Sequence, residues 1–422
     1  MDKYYIICGK FFDGVNNDIQ EDMTIIVSGN KITAVGKTLG LPKDASVIDL
    51  SSCTVTPGFI DAHAHYEFIG AETFNTFSIT DSDEMKALNM VYNAGQSLLR
   101  GFTTVRITGT AFRGFGCIDV KRAIDKGFFP ASRLIVAPHA LGIPGGHWDF
   151  SAFYSNTNPI FSDFMEQPYA MGSGADMFKY LVRKQIKYGA DFIKIMAAGG
   201  FASPGDDPGN MQLDADELRA IIMTAKAADK PVIAHAYTSD SIEMLVELGI
   251  DEIEHGTLMN KKTARMIEER NIKYVPTLFS LMPPDEDIDP CTLPPKSEAF
   301  ERKLAKYAEQ LKESREAVLE LVKNGNTPIG LGSDIVGLYP NYDGWREFKA
   351  WLDLGVPPIK TLCAATSSNA MIVGRSDIGV LAPGKTADIA AWKRDLLSDH
   401  RATSECAFVM KEGTVYKSMG KC

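Results

Sequence analysis

No stretch of this 422-residue sequence approaches the roughly 18 uninterrupted apolar residues that a membrane helix needs. The start holds only a short apolar run at 4–8, without a signal-peptide layout. The expectation is a cytoplasmic protein with no membrane partner. Cysteine is sparse: the seven, at 8, 53, 117, 291, 363, 406 and 422, are odd in number and never spaced Cys-x-x-Cys. Neither a disulfide framework nor a thiolate zinc site is indicated. Positive charge is in deficit as well. Forty-four Lys and Arg against 54 Asp and Glu leave −10, a field that repels phosphate backbones and argues against a nucleic-acid partner. The remaining composition, 45% apolar and 23% charged, is that of an ordinary globular chain and excludes disordered, collagen-like and disulfide-stapled classes.

Both ends of the chain read as β structure. Short β-rich runs at 4–7, 23–27, 31–35 and 47–50 are matched near the other terminus by 387–392, 406–411 and 414–417, with Glu412-Gly413 supplying a hairpin turn. Between them, short apolar runs alternate with helical stretches, the rhythm of βα units around a parallel sheet. Eight strands are expected, near 59–65, 103–108, 134–139, 191–196, 232–237, 252–256, 274–278 and 329–334. Helical patterns are expected at 81–100, 177–188, 214–228, 239–248, 261–269 and 297–324, the last read as a solvated charged face. Eight such units close a (β/α)8 barrel. Two connections are long: 142–174, rich in aromatics including Trp148 and Tyr169, and 279–295, rich in Pro and acids. The first follows a strand where active-site loops lie and reads as a lid, and the second reads either as a second gate or as a surface excursion.

The histidines are concentrated where barrel chemistry occurs. Of seven, those at 63, 65, 139, 235 and 255 fall at or near expected strand ends, and His147 follows the third strand. His63 and His65 share a strand face because side chains alternate with period two. Alone, a His-x-His pair is more often incidental than metal-binding. Here it is joined by His235, His255 and Asp334, and nitrogen with oxygen donors suits zinc or another borderline divalent ion. Asp334 by itself would read as a cap or turn. Lys194 is a cation inside an apolar strand, where a bare ammonium costs several kcal/mol. It either snorkels, pairs with a carboxylate, or reacts with carbon dioxide to a carbamate that bridges metals.

Taken in order, Thr56-Pro57-Gly58-Phe59-Ile60-Asp61-Ala62-His63-Ala64-His65, Ile193-Lys194-Ile195-Met196-Ala197-Ala198-Gly199-Gly200, Val232-Ile233-Ala234-His235-Ala236-Tyr237, Ile253-Glu254-His255-Gly256 and Gly332-Ser333-Asp334 resemble the motif set of the metal-dependent amidohydrolase superfamily. The run from Gly379-Val380-Leu381 to Ala387-Asp388-Ile389 resembles that family's return into its β-sandwich. The resemblance implies an α/β fold, with a TIM barrel over 57–375 and a split β-sandwich made of 1–56 and 376–422. It implies a pair of divalent ions, with His63, His65 and Asp334 on one, His235 and His255 on the other, and carbamylated Lys194 between. Lys194 and Gly145-Gly146-His147-Trp148-Asp149 look most like the Xaa-Pro dipeptidase and carboxypeptidase branch, which also resembles ochratoxin-hydrolysing amidases. That branch hydrolyses amides beside a free carboxylate, so the expected partner is a small-molecule amide or dipeptide, and a homo-oligomer is expected.

On this reading a water shared by two cations is acidified toward hydroxide, and Asp334 takes its proton and passes it to the departing amine. Tyr237, on the face of His235, either donates its phenol to the substrate or packs in the core. The resemblance implies that His147, in the Gly-Gly-His tract, helps to hold the substrate carboxylate. His139 and Arg106 face the expected barrel mouth, although Arg106 can equally close an ion pair inside the barrel. After Arg106 the chain reads Ile107-Thr108-Gly109, where relatives usually carry an acid and a Gly pair. His400, between Asp399 and Arg401, reads as surface. The rivals are a deaminase or cyclic-amide hydrolase of imidazolonepropionase type, disfavoured by Lys194 and by the Ala-Tyr-Thr-Ser stretch after His235, and a non-catalytic scaffold, disfavoured by the full donor set.

Overall fold

The computed structural model describes residues 3–37, 39–68, 81–149, 169–203, 205–282, 298–336 and 339–419. Most of the two long connections, including Phe150, Phe153, Tyr154, Phe161 and Phe164, lies outside the described residues.

Strands from both chain ends share one sheet. Its order is Thr414–Lys417, Cys406–Lys411, Ile389–Trp392, Ser46–Pro57, Lys3–Phe11, Thr24–Ser28 and Lys31–Gly36, with Gln20–Glu21 also on Lys3–Phe11. One apolar face of alternating residues, among them Ile6, Cys8, Ile25, Val27, Val55, Ile389 and Phe408, forms its core. Ser46–Pro57 is exposed at its start and buried at its end. There it pairs antiparallel with Ile389–Trp392 and leads directly into Phe59–Ala64.

Phe59–Ala64, Phe102–Thr108 and Arg133–Ala137 form a parallel three-stranded sheet, and Ala140–Leu141, Ile193–Met196, Val232–Thr238, Glu252–Leu258 and Lys273–Val275 a parallel five-stranded one. These strands are almost wholly buried, which is why they read as apolar runs. Helices cover them: Asp83–Leu99 starts on a Ser82 cap, Ala215–Lys226 on an Asp214/Glu217 capping box, and Ala175–Tyr188 ends at Gly189 with φ +104°.

Four departures from expectation shape the site. The third expected strand is divided, since Pro138 and His139 separate Arg133–Ala137 from Ala140–Leu141. The seventh stops at Val275, because Thr277 turns to φ +46° and Leu278–Leu281 forms a 3-10 turn. The eighth is no regular ladder: 328–334 is stitched in by Tyr274 N–H to Pro328 O, Gly330 N–H to Tyr274 O, Ala62 N–H to Leu331 O and Asp334 N–H to His63 O, at 2.9–3.0 Å. That segment therefore bonds to the edge strands of both parallel sheets, and a Cβ at Gly332 would lie 2.5 Å from Val275 Cγ1 and 2.8 Å from His63 Cβ. Finally, Glu298–Asn324 is not a fully solvated helix: it buries Lys303, Tyr307, Ser314, Ala317, Val318, Leu321 and Val322.

Candidate metal centre

His63 and His65 stand at the end of the Phe59–Ala64 strand and are both buried. His63 Nε2 lies 3.3 Å, and His65 Nε2 3.6 Å, from Asp334 Oδ1. His255 Nδ1 lies 3.9 Å from Asp334 Oδ2, and His63 Nδ1 lies 2.9 Å from Glu254 Oε1. Lys194, from the middle of Ile193–Met196, places Nζ against Glu254 Oε2, with both side chains buried. The His235 ring is 4.6 Å from that of His255, 4.9 Å from Tyr237 and 4.4 Å from His147, which stacks on it. Thus His63, His65, Lys194, His235, His255 and Asp334 converge, with His147 and Tyr237 along one flank.

The outer nitrogens of these rings are anchored. Carbonyls only accept, so His65 Nδ1–H donates to Gly109 O at 3.2 Å and His235 Nε2–H to Gly199 O at 3.3 Å, leaving the other nitrogen of each ring as a lone pair. His255 Nδ1 is 2.7 Å from Thr277 Oγ1. His255, Thr277 and Asp334 all take positive φ, at 66°, 46° and 43°, an uncommon backbone for such residues and one that collects at functional sites.

Burial keeps the imidazoles neutral: His63 is lowered, His65 falls to about 3, and His235 and His255 lie well below the ordinary value. Neutral imidazole is the metal-binding form. Burial also lowers Lys194, to about 7, while its contact with the Glu254 carboxylate works the other way and realises the carboxylate pairing that the sequence left open. For Asp334 burial is outweighed by His63, His65 and Lys194, and it sits low, at about 2.

Two sets of ligand atoms, His63/Glu254/His255 and His63/His65/Asp334, each lie within 4.8 Å of one another. Among the described residues, no hydrogen bond of acceptable geometry satisfies His63 Nδ1 or either oxygen of Glu254. Buried polar atoms left this way need an explanation, and a divalent ion shared by such donors supplies one. The donor set fits a cation of the zinc type.

Glu254 was not among the residues singled out from sequence. The signal was present: Glu252 and Glu254 lie two apart on a strand expected to be buried, and such acids need countercharges. Arg106 supplies one. Its guanidinium grips Glu252 in a bidentate pair, with Nη1 to Oε2 at 2.9 Å, and donates from Nε to Ala62 O at 2.6 Å. The hydrogen bonds of Arg106 thus lie in a buried ion pair with Glu252. His139 is also directed elsewhere: Nε2 meets Phe112 O at 3.1 Å and Nδ1 meets Gln185 Oε1 at 3.3 Å, and Phe115 packs edge-on. Both of its nitrogens are thus engaged in buried contacts. His400 pairs with Asp353 at the surface, at 2.6 Å.

Histidines and an acid at strand ends, brought together with a lysine buried within a strand, form a donor set of the kind that could hold divalent ions. Comparison with known proteins gives the family: residues 54–420 match the Amidohydrolase family, and the chain belongs to it. It is 25% identical over 417 residues to the ochratoxinase of Aspergillus niger, covering 94% of this chain and 83% of that protein. Among solved structures it is similar to a Xaa-Pro dipeptidase with methionine bound in the active site, with a TM-score of 0.86 and 28% identity over 99% of this chain and 100% of the other. A prolidase complexed with N-methylphosphonate-L-proline gives a TM-score of 0.82 and 28% identity at the same coverage. Among the described residues no helix is long and apolar enough to cross a membrane.

Proposed function

We propose that this amidohydrolase-family hydrolase cleaves an amide C–N bond adjacent to a free carboxylate, in a dipeptide or an N-acyl amino acid, with a pair of divalent ions, zinc by donor chemistry, held by His63, His65, Lys194, His235, His255 and Asp334. The fold that carries it is a closed (β/α)8 barrel over 57–375, flanked by a split β-sandwich of 1–56 and 376–422. Divalent ions at such a site supply Lewis acidity toward a carbonyl and acidify water near neutral pH. Lys194 takes part as its carbamate, a reading supported by its burial and by the lowering of its amine toward neutrality.

The protein's own groups divide the remaining work. Asp334 faces His63 and His65 through Oδ1 and His255 through Oδ2; its carboxylate takes a proton from water and returns it to the leaving amine. Burial, with Asp334 and Asp206 nearby, raises the Tyr237 phenol far above its ordinary value, so it stays a donor for a carbonyl oxygen or a carboxylate. His147, stacked on His235, stands beside the donors where the carboxylate end of a substrate is held.

The observation that carries this reading is the convergence of a buried lysine, four neutral histidines and one ionised aspartate in a single cluster. The bound methionine and the prolyl phosphonate named for the two similar structures support the carboxylate preference. A screen of dipeptides, N-acyl amino acids, their C-terminal amides and cyclic amides tests it. Free-carboxylate substrates are expected to turn over and their amides to fail; turnover of the cyclic amides alone would replace this reading with a cyclic amidohydrolase, and release of ammonia from a cyclic amidine added to the screen, with no peptide cleavage, with a deaminase.

A further inference from the structure

A cleft of about 570 Å3 opens between the helix Glu298–Asn324 and the segments that follow the strands Val232–Thr238 and Glu252–Leu258. One wall is Tyr307, Gln310, Glu313 and Ser314 of that helix. The other is 238–240 and 260–261, where the helices Ser239–Glu247 and Lys261–Glu269 begin. None of the donors of the metal centre lines the cleft, and its volume suits a small organic molecule.

The helix wall presents acceptors that nothing occupies. Gln310, Glu313 and Ser314 are three and four residues apart, so their side chains meet on one face. Ser314 is only 4% exposed and lines the cleft, yet among the described residues its hydroxyl has no hydrogen-bond partner. A polar group buried in that way needs an explanation. Gln310 donates from Nε2 to Leu258 O at 3.0 Å, which turns the amide and leaves Oε1 as an acceptor. Among the described residues neither Glu313 nor Asp240 forms an ion pair, whereas Lys261, the cation of the lining, is answered by Glu316 at 2.9 Å.

These charges select the sign of a ligand. The start of Ser239–Glu247 carries a positive partial charge, and Asp240 in its first turn offsets it. Glu313 then leaves the cleft negative. Its acids are not gathered as metal ligands are: among the described residues, the two sets of ligand atoms within 4.8 Å of one another both belong to the metal centre. A bare ion therefore fits poorly. Leu258 and Tyr307 are buried and supply an apolar surface, in one cluster with Phe201 and Tyr237. Phe201 lies edge-on to both tyrosines, 5.1 Å from Tyr237 and 6.1 Å from Tyr307, so the cleft and the flank of the metal centre share this cluster.

We infer that the cleft is a second binding site, for a small organic ammonium with an aliphatic body. Glu313, the Ser314 hydroxyl and Gln310 Oε1 receive the ammonium, and Leu258 and Tyr307 receive the body. The inference goes beyond the reaction proposed above and does not depend on it, because the site is read by binding and not by turnover.

Titration calorimetry of the purified full-length protein with n-butylammonium chloride, n-butanol and sodium butyrate tests it, since the three share a body and differ in charge. The ammonium is expected to bind at a single site per chain, the alcohol about tenfold or more weakly, the scale of a charge-supported hydrogen bond, and butyrate is expected not to displace the ammonium. Glu313→Lys changes an exposed residue, keeps the fold and should weaken ammonium binding by about tenfold or more. Ser314→Val should weaken it severalfold, and Glu313→Lys decides the matter where circular dichroism shows Ser314→Val unfolded. Asp334→Asn, in the metal centre, should leave the affinity unchanged. Full affinity in folded Glu313→Lys, loss of binding in folded Asp334→Asn, equal binding of the alcohol, or no binding of the ammonium at all overturns the inference.

Discussion

The donor cluster and the cradle behind His147 touch through the His147–His235 stack, yet they are built in opposite ways. The cluster stands on strands and leaves His63 Nδ1 and both Glu254 oxygens without well-formed hydrogen bonds, in close contact only with each other and with Lys194. The cradle is made of a loop and one helix, and Asp206 is satisfied by Gly200, Ser203, Gln212 and Lys303. Unsatisfied buried atoms suit a site completed by a cation, whereas a saturated carboxylate suits a site that must hold its shape before substrate arrives. On the proposed function the first region carries the chemistry, so loss of a residue from it should remove turnover, while loss from the second should disturb the seat of His147.

The largest effects are expected in the cluster. Asp334→Asn and Lys194→Ala should each lower kcat by about a thousandfold, the range of proton-transfer and metal-assisted contributions. Short carboxylic acids added to Lys194→Ala should restore part of the activity by standing in for the carbamate. Steady-state kinetics checks both, and an active Lys194→Ala without additive would remove the bridging role.

Glu254 and Arg106 sharpen the boundary between site and framework. Breaking a buried charge pair costs about 3–5 kcal/mol, so both Glu254→Gln and Arg106→Met should lower the melting temperature. Glu254, against Lys194 and 2.9 Å from His63 Nδ1, should also lower bound metal when changed. Arg106→Met should lower metal content less than Glu254→Gln does and leave KM of the folded fraction near that of the unaltered protein, since its hydrogen bonds go to Glu252 and Ala62 O and only Nη2, 3.8 Å from Glu254 Oε1, reaches toward the cluster. A raised KM with unchanged stability would return Arg106 to substrate binding.

A smaller effect comes from Glu347, away from the cluster. Burial raises its carboxyl from 4.5 to about 8, although it accepts from Phe279 N–H, Trp351 Nε1 and Leu278 N–H. Its folded pKa lies above the unfolded value, so between those two values the folded state keeps a proton that the unfolded chain has lost. Stability should therefore fall as pH rises through that window. Denaturant midpoints across pH check the slope, and Glu347→Gln should flatten it.

Much of this was legible from residue order, for physical reasons. Parallel strands buried on both faces must be apolar, so the strands bearing His63, Lys194, His235 and His255 stood out, and period two aligned His63 with His65. What escaped depended on contacts distant in sequence. The partner of Arg106 lies 146 residues away, and nothing local distinguishes a guanidinium facing a cavity from one facing Glu252. Lys303 read as part of a solvated face because helical charge patterning does not reveal which turn packs on a loop about a hundred residues earlier in the chain. The segment at 329–334 has a strand's composition, but close approach at Gly332 and the positive φ of Asp334 take it off a regular ladder.

The most direct test of the central claim is elemental analysis by mass spectrometry of the folded, purified protein and of its His63→Asn and His235→Asn variants. The account predicts about two divalent ions per chain in the unaltered protein, as in two-ion hydrolases, and a loss of about one or more in each variant. A correctly folded, active protein that binds no divalent ion would contradict it.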